Sequence, residues 1–146
     1  MTSPAGSGRG WGGEALQDAG KLVLRVTVGV LMLFHGVDKL IHGVGGVRAD
    51  LEAHGLPGVM AYGVYLGEVA APLFILAGLW TRLWAVVYAG TILVATGLVH
   101  SAAFVRLAPT GGWAAELYVF YILGAVAVAL LGAGRYAYRG GRGWLD

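Results

Sequence analysis

Residues 22–42 read LVLRVTVGVLMLFHGVDKLIH, and the fold is decided by how this stretch is read. With Lys21 it supplies the ~20 predominantly apolar residues that cross a ~30 Å hydrocarbon core at 1.5 Å per residue. A chain in lipid must satisfy its own backbone polar groups, so the run is a helix. The same pattern recurs with Glu68 in residues 59–79, VMAYGVYLGEVAAPLFILAGL, with His100 in residues 83–104, and with Glu116 in residues 113–133. The expected fold is therefore all-α: a polytopic membrane protein built as an antiparallel bundle of four transmembrane helices, at about residues 21–42, 59–79, 83–104 and 113–133. Residues 1–20, rich in Gly and Ser, are expected to be a disordered or interfacial lead with no signal-peptide pattern, and residues 135–146 a basic tail.

Composition agrees with that class. The chain of 146 residues is 58% hydrophobic and only 12% charged, with a mean hydropathy of +0.72, against about 25% charged residues in an ordinary soluble domain. There is no cysteine, which excludes disulfides, Cys-x-x-Cys redox pairs, iron–sulfur ligation and a thiol nucleophile. The net charge of +2 comes without a basic tract interleaved with aromatics, so no nucleic acid is expected as a partner and the bilayer is.

Lys and Arg are distributed unevenly between the two ends of the bundle. Arg9, Lys21, Arg25, Arg82, Arg135, Arg139 and Arg142 fall on one side, and Lys39, Arg48 and Arg106 on the other. The positive-inside bias puts both termini in the cytoplasm of a multi-pass protein of the cell membrane. His35, Asp38, Lys39 and His42, Glu68, His100 and Glu116 then all fall in the outer half.

Ionisable groups inside a span are expensive and face protein or water, which makes them site candidates. On helix one, His35, Asp38, Lys39 and His42 share an arc of about 100°, so all four are expected to look into the bundle. Glu68 sits deepest and needs a cation or water to face; it centres an expected outer-leaflet polar pocket. The candidate catalytic residues are Glu68, His35, Lys39 and His100; the candidate cofactor-binding residues are His35, Lys39, Glu68, Glu116 and Arg25. Plainer readings stand beside these. Arg25 also reads as a snorkelling anchor or as the partner of a helix-two carboxylate, Asp38 and Lys39 as an interfacial helix end, and His42, Arg48, Asp50, Glu52 and His54 as solvated charges. The tyrosines and tryptophans read mainly as an interface belt. No helix carries a His-x-x-x-His or Glu-x-x-His pair, so no metal is expected.

The stretch LVLRVTVGVLMLFHGVDKL, with Arg25 and His35-Gly36-x-x-Lys39, then Gly55-Leu56-Pro57, then GEVAAPLFILAGLWTRLWA from Gly67 to Ala85, resembles the DoxX-like family of small four-helix membrane proteins, which includes DoxD. The resemblance covers about Leu22 to Gly134. It implies a redox association, with quinone-coupled thiosulfate oxidation or oxidant defence beside soluble partner proteins, and it matches Arg25, His35, Lys39, Glu68 and Arg82 to the family's recurring pattern. His100 and Glu116 come from the geometric reading alone. Three functions compete: a subunit of a quinone-linked oxidoreductase, a scaffold anchoring a soluble redox or sulfur-metabolism enzyme, and a small proton-coupled carrier. A homo-oligomer is open on the Gly and Ala stripes, and quinone is the one cofactor the resemblance suggests.

Overall fold

The computed structural model describes residues 11–138 and 143–146. Helix α1 spans Trp11–His42, α2 Gly45–Ala53, α3 Gly58–Ala77, α4 Thr81–Val99 and α5 Glu116–Leu131. Among the described residues the regular elements are helical, and one isolated bridge, Leu107 to Trp113, closes the loop before α5. The helix expected to begin at Lys21 begins at Trp11. Extending a formed helix costs far less than nucleating one, so Ala15, Leu16 and Gln17 continue it outward despite Gly12 and Gly13. Residues 1–10 of the expected lead, with Arg139 and Arg142 of the expected tail, lie outside the described residues.

Three helices are long and apolar enough to cross a membrane: Gly12–His42, Gly58–Ala77 and Thr81–Val99. The fourth expected span is shorter. Helix α5 has 16 residues, about 24 Å at 1.5 Å per residue, against a core of about 30 Å. Helix α4 also ends early, at His100 (φ −114°, ψ 19°), where a 3₁₀ turn over Ser101–Val105 takes over.

Contacts establish antiparallel neighbours throughout. Gly29 of α1 meets Leu76 of α3, while Gly36 meets Glu68. Gly67 of α3 meets Thr91 of α4. Helix α5 starts beside the end of α4, with Tyr118 stacked on His100, and ends beside its start, where Arg82 donates to Ala129 O at 3.1 Å. The core joins all four of these segments through Val28 and Met32, Ala71 and Ile75, Ala85, Tyr88 and Ile92, and Ala125 and Val128. Outward faces carry Phe34, Ile41, Val86, Leu93, Phe120 and Leu130, an apolar surface that lipid tails cover.

Arg25 holds the opposite end from the site. It is 1% exposed, so it is not a snorkelling anchor. Its Nε donates to Ile75 O at 2.9 Å and its Nη2 to Leu76 O at 2.8 Å. Its Nη1 donates to Ala133 O at 2.5 Å and to Tyr136 O at 3.3 Å. The Ala133 and Tyr136 oxygens lie in the segment that follows α5, and those of Ile75 and Leu76 in the last turn of α3, where the last helical carbonyls lack intrahelical donors. The chain then turns through Gly78 (φ +71°), with Gly78 N–H to Ile75 O at 3.1 Å and Leu79 N–H to Phe74 O at 3.0 Å, the Schellman pattern. Trp80 follows in the left-handed region (φ +46°). Its N–H donates to Asp146 Oδ1 at 2.8 Å, and its ring stacks on Phe74. The end of the expected basic tail thus places a carboxylate at the start of α4, where the helix dipole favours it.

Replacing Arg25 by Met removes a charged donor from at least two well-formed buried bonds. At about 1.5–3 kcal/mol for each charge-assisted bond, the loss is expected to exceed about 3 kcal/mol, and thermal unfolding in mild detergent checks it. Arg25→Lys is expected to recover little, because one ammonium cannot reproduce the planar fork.

Candidate functional site

The site is built around a defect in α3. That helix runs as 3₁₀ over Gly58–Gly63, as a π turn over Leu66–Ala70 and as α over Ala71–Ala77. Pro72 is the cause on the sequence side: it has no N–H to give the carbonyl of Glu68 four residues back, and the wider π turn redistributes the bonds there. Two glycines receive the widened turn. A Cβ on Gly36 would collide with the Glu68 carbonyl oxygen, and a Cβ on Gly67 would collide with the Thr91 side chain. The turn is therefore gripped between α1 and α4.

Gripped in this way, α3 directs Glu68 at Lys39. The ammonium donates to Glu68 Oε2 at 2.6 Å, with side-chain exposures of 20% and 12%. This is a short, charge-assisted contact in a largely desolvated setting. Tyr65 donates its hydroxyl to Lys39 O at 3.1 Å and ties α3 to α1 just above the pair.

Beside the pair lies a cavity of about 560 Å³ lined by His35, Lys39, Glu68 and His100, within the 300–1,000 Å³ range of small-molecule sites. Four of the sequence-derived candidates therefore come together. The walls are mainly apolar or aromatic, including Met32, Tyr118 and Tyr121. The His100 ring lies nearly flat on Tyr118, with centroids 4.9 Å apart and planes at 14°. His35 meets Tyr121 edge-on at 6.2 Å. Met60, Val94 and Leu117 both line the cavity and are exposed, so part of its rim is an apolar outer surface.

Several expectations are corrected. Arg25 lies at the other end of the helices, on backbone carbonyls, and does not line the cavity. Glu116 is exposed at the start of α5 and also lies outside it; the residues that share its helix face, Phe120 and Leu123, point outward too. Asp38 and His42 do not join His35 and Lys39. They pair with each other at 2.8 Å in the open, 68% and 71% exposed. One residue apart is about 100° around a helix axis, so the cavity takes the His35–Lys39 stripe and turns Asp38 away. Tyr88 is no belt residue: it is buried, and its hydroxyl donates to Val28 O at 3.3 Å.

Asp50, read from sequence as a solvated charge, lines the cavity together with Val47 and Leu51 of α2. On the outer face of α2, Arg48 Nε and Glu52 Oε1 pair at 2.8 Å, and that bond raises the Arg48 guanidinium above its ordinary range. Only the cavity separates Asp50 from the other charged residues of this helix. No group of three or more metal-ligand side chains converges among the described residues.

The sequence model of the DoxX family matches residues 20–101. The chain belongs to the DoxX family. The matched region of this DoxX protein contains α1 from Gly20 onward and all of α2 to α4 and, with them, His35, Lys39, Asp50, Glu68 and His100; Tyr118 and Tyr121 on α5 lie beyond it. The chain is 40% identical over 88 residues to the inner membrane protein YqjF of Escherichia coli (strain K12), covering 60% of this chain and 67% of the relative. It is 33% identical over 76 residues to a Bacillus subtilis (strain 168) protein named "Putative oxidoreductase CatD", covering 52% of this chain and 56% of the relative. No solved structure matches. Family membership and the apolar helices make this a membrane protein with its helices in contact with lipid.

Gly36→Ala tests the grip on the π turn. The added methyl has backbone on its far side and cannot be relieved by a rotamer change, so a loss of about 1–3 kcal/mol is expected. Gly63→Ala, where a Cβ meets nothing within 4 Å, is the control. Unfolding in detergent measures both.

Proposed function

We propose that this DoxX protein is the membrane subunit of a redox-associated, quinone-linked complex, and that the cavity beside Glu68 takes the quinone headgroup. The observation that carries the reading is an apolar-rimmed cavity of about 560 Å³ with the Lys39–Glu68 pair and two imidazoles on its walls. An isoprenoid-tailed ring enters from lipid past Met60, Val94 and Leu117, while Lys39 or His35 donates to a ring carbonyl. Glu68 or His100 relays the proton that accompanies reduction, and electrons come from a soluble redox partner. The name of the Bacillus subtilis relative supports a redox association without naming a substrate.

In this reading α5 completes a fourth crossing, and both termini face the cytoplasm. Its antiparallel course along α4 supports that, as does the bias of Lys and Arg toward the Arg25 end. The 16-residue length of α5 is then met by local thinning of the bilayer. The chain has no cysteine, so single cysteines at Glu14 and Tyr138 report sidedness directly. Both are expected to react with an impermeant maleimide in inside-out vesicles and in neither case in right-side-out ones. Labelling from opposite sides would mean an odd number of crossings.

A scaffold reading has one specific observation behind it. The Lys39–Glu68 contact is closed at 2.6 Å, which also suits a brace between α1 and α3. Glu68→Gln separates the two. A quinone site is expected to lose roughly a hundredfold in quinone-dependent turnover of the purified complex, with the complex still folded. A brace is expected to lower the unfolding temperature and leave turnover intact.

A further inference from the structure

The four histidines are held in two different ways. His42 Nδ1 lies 2.8 Å from Asp38 Oδ1, and His54 Nδ1 lies 2.8 Å from Asp50 O, each partner being one turn back on the same helix. Among the described residues no hydrogen bond uses a ring nitrogen of His35 or His100. Those two are the histidines that line the cavity, and each meets a tyrosine of α5 instead. His100 lies nearly parallel to Tyr118, at 14° with centroids 4.9 Å apart. His35 stands edge-on to Tyr121, at 87° and 6.2 Å. Both arrangements fall in the range of about 4.5–7 Å over which offset-stacked and edge-to-face rings attract.

The way a ring is held decides what it can do. A neutral imidazole has one N–H donor and one acceptor nitrogen, and one that passes a proton takes it on one nitrogen while releasing another from the opposite one. A hydrogen bond that orients the ring, as at His42 and His54, occupies one of the two. A tyrosine ring orients the imidazole and occupies neither. Tyr118 and Tyr121 stand at i and i+3 on α5, so they share a helix face, and both line the cavity. They lie beyond the segment matched to the family, so the match itself assigns them nothing. His100 is also exposed at the end of α4, and its ring therefore reaches both the cavity and the surroundings of the bundle.

We infer, on the basis of the ring-binding reading above, that Tyr118 and Tyr121 are positioning residues: α5 fixes the planes of His100 and His35 by ring contact and leaves both nitrogens of each imidazole for the bound quinone ring and its proton. Without the tyrosine ring an imidazole keeps its nitrogens but loses its fixed plane. The ligand must then order it on binding, which weakens the complex. Tyr118 acts on the ligand through His100, and Tyr121 through His35.

The test uses the full chain in detergent micelles, with isotope-labelled histidine so that each imidazole is followed by NMR, and a benzoquinone with a decyl tail as the binding probe. Tyr118→Leu is expected to move the His100 ring signals and leave those of His35, and Tyr121→Leu to do the reverse. Tyr118→Phe and Tyr121→Phe, which keep a ring, are expected to restore the native positions. Phe120→Leu, on the outward face of the same helix, is the control. Each Leu variant is expected to bind the probe roughly fivefold more weakly than the native chain, the scale of one aromatic contact, and the matching Phe variant to recover the loss. In a His100→Ala background, Tyr118→Leu is expected to cost nothing further. An additive loss in that background, or a Phe variant as weak as the Leu one, means that the tyrosine acts on the ligand directly and overturns the inference. Imidazole signals that stay in place in both Leu variants overturn it as well, and in each of these cases retention of the probe by the native chain leaves the ring-binding reading standing. A native chain that does not retain the probe overturns both. Unfolding temperatures are read for every variant, and Tyr118→Met and Tyr121→Met stand in for Leu variants that do not fold.

Discussion

Everything in this fold depends on satisfying main-chain carbonyls where water is scarce. A helix leaves its last carbonyls without donors, and in or near a bilayer each unmet group is costly. Arg25 answers this at one end by giving its guanidinium to oxygens of Ile75, Leu76, Ala133 and Tyr136. One side chain of α1 thereby ties down the end of α3 and the segment after α5. Arg82 and Asp146 do related work at the neighbouring turn, where Arg82 Nε donates to Asp146 O at 3.0 Å. At the Arg25 end the guanidinium groups of Arg25 and Arg82 are occupied by backbone oxygens.

The other end is arranged on the opposite principle. Pro72 withholds a donor, α3 relaxes into a π turn, and Gly36 and Gly67 admit the widened backbone between α1 and α4. The widened turn aims a carboxylate across at Lys39 and leaves an unfilled space beside the pair. Binding sites draw on the less tightly packed parts of a structure, and here that part is bounded by α2, a short helix set between two glycines.

Much of the cavity was legible in sequence because ionisable groups in apolar runs are too costly to be incidental. His35, Lys39, Glu68 and His100 were found that way. The same rule misled at Glu116 because depth along a helix says nothing about rotation about its axis. Helix α5 is apolar nearly all round, ELYVFYILGAVAVALL, so no polar stripe marks its inner face. Asp50 was missed for the converse reason: it lies among Arg48, Glu52 and His54 outside the long apolar runs, where a charged residue costs little and reads as solvated.

The sequence by itself determined the class, the positions of the long apolar helices, the family, and which side chains were too costly to be lipid-facing. The family rests on the resemblance of its motifs; the other properties rest on composition, length and periodicity, which are local quantities set by the solvation of each side chain. Only the tertiary structure decided that Arg25 binds carbonyls and not a carboxylate, that Lys39 is the partner of Glu68, that Asp50 joins the cavity, and that Asp38, His42 and Glu116 do not. Those outcomes depend on helix rotation and on close approach at Gly36 and Gly67. Both are properties of two backbones meeting, and no single segment carries them.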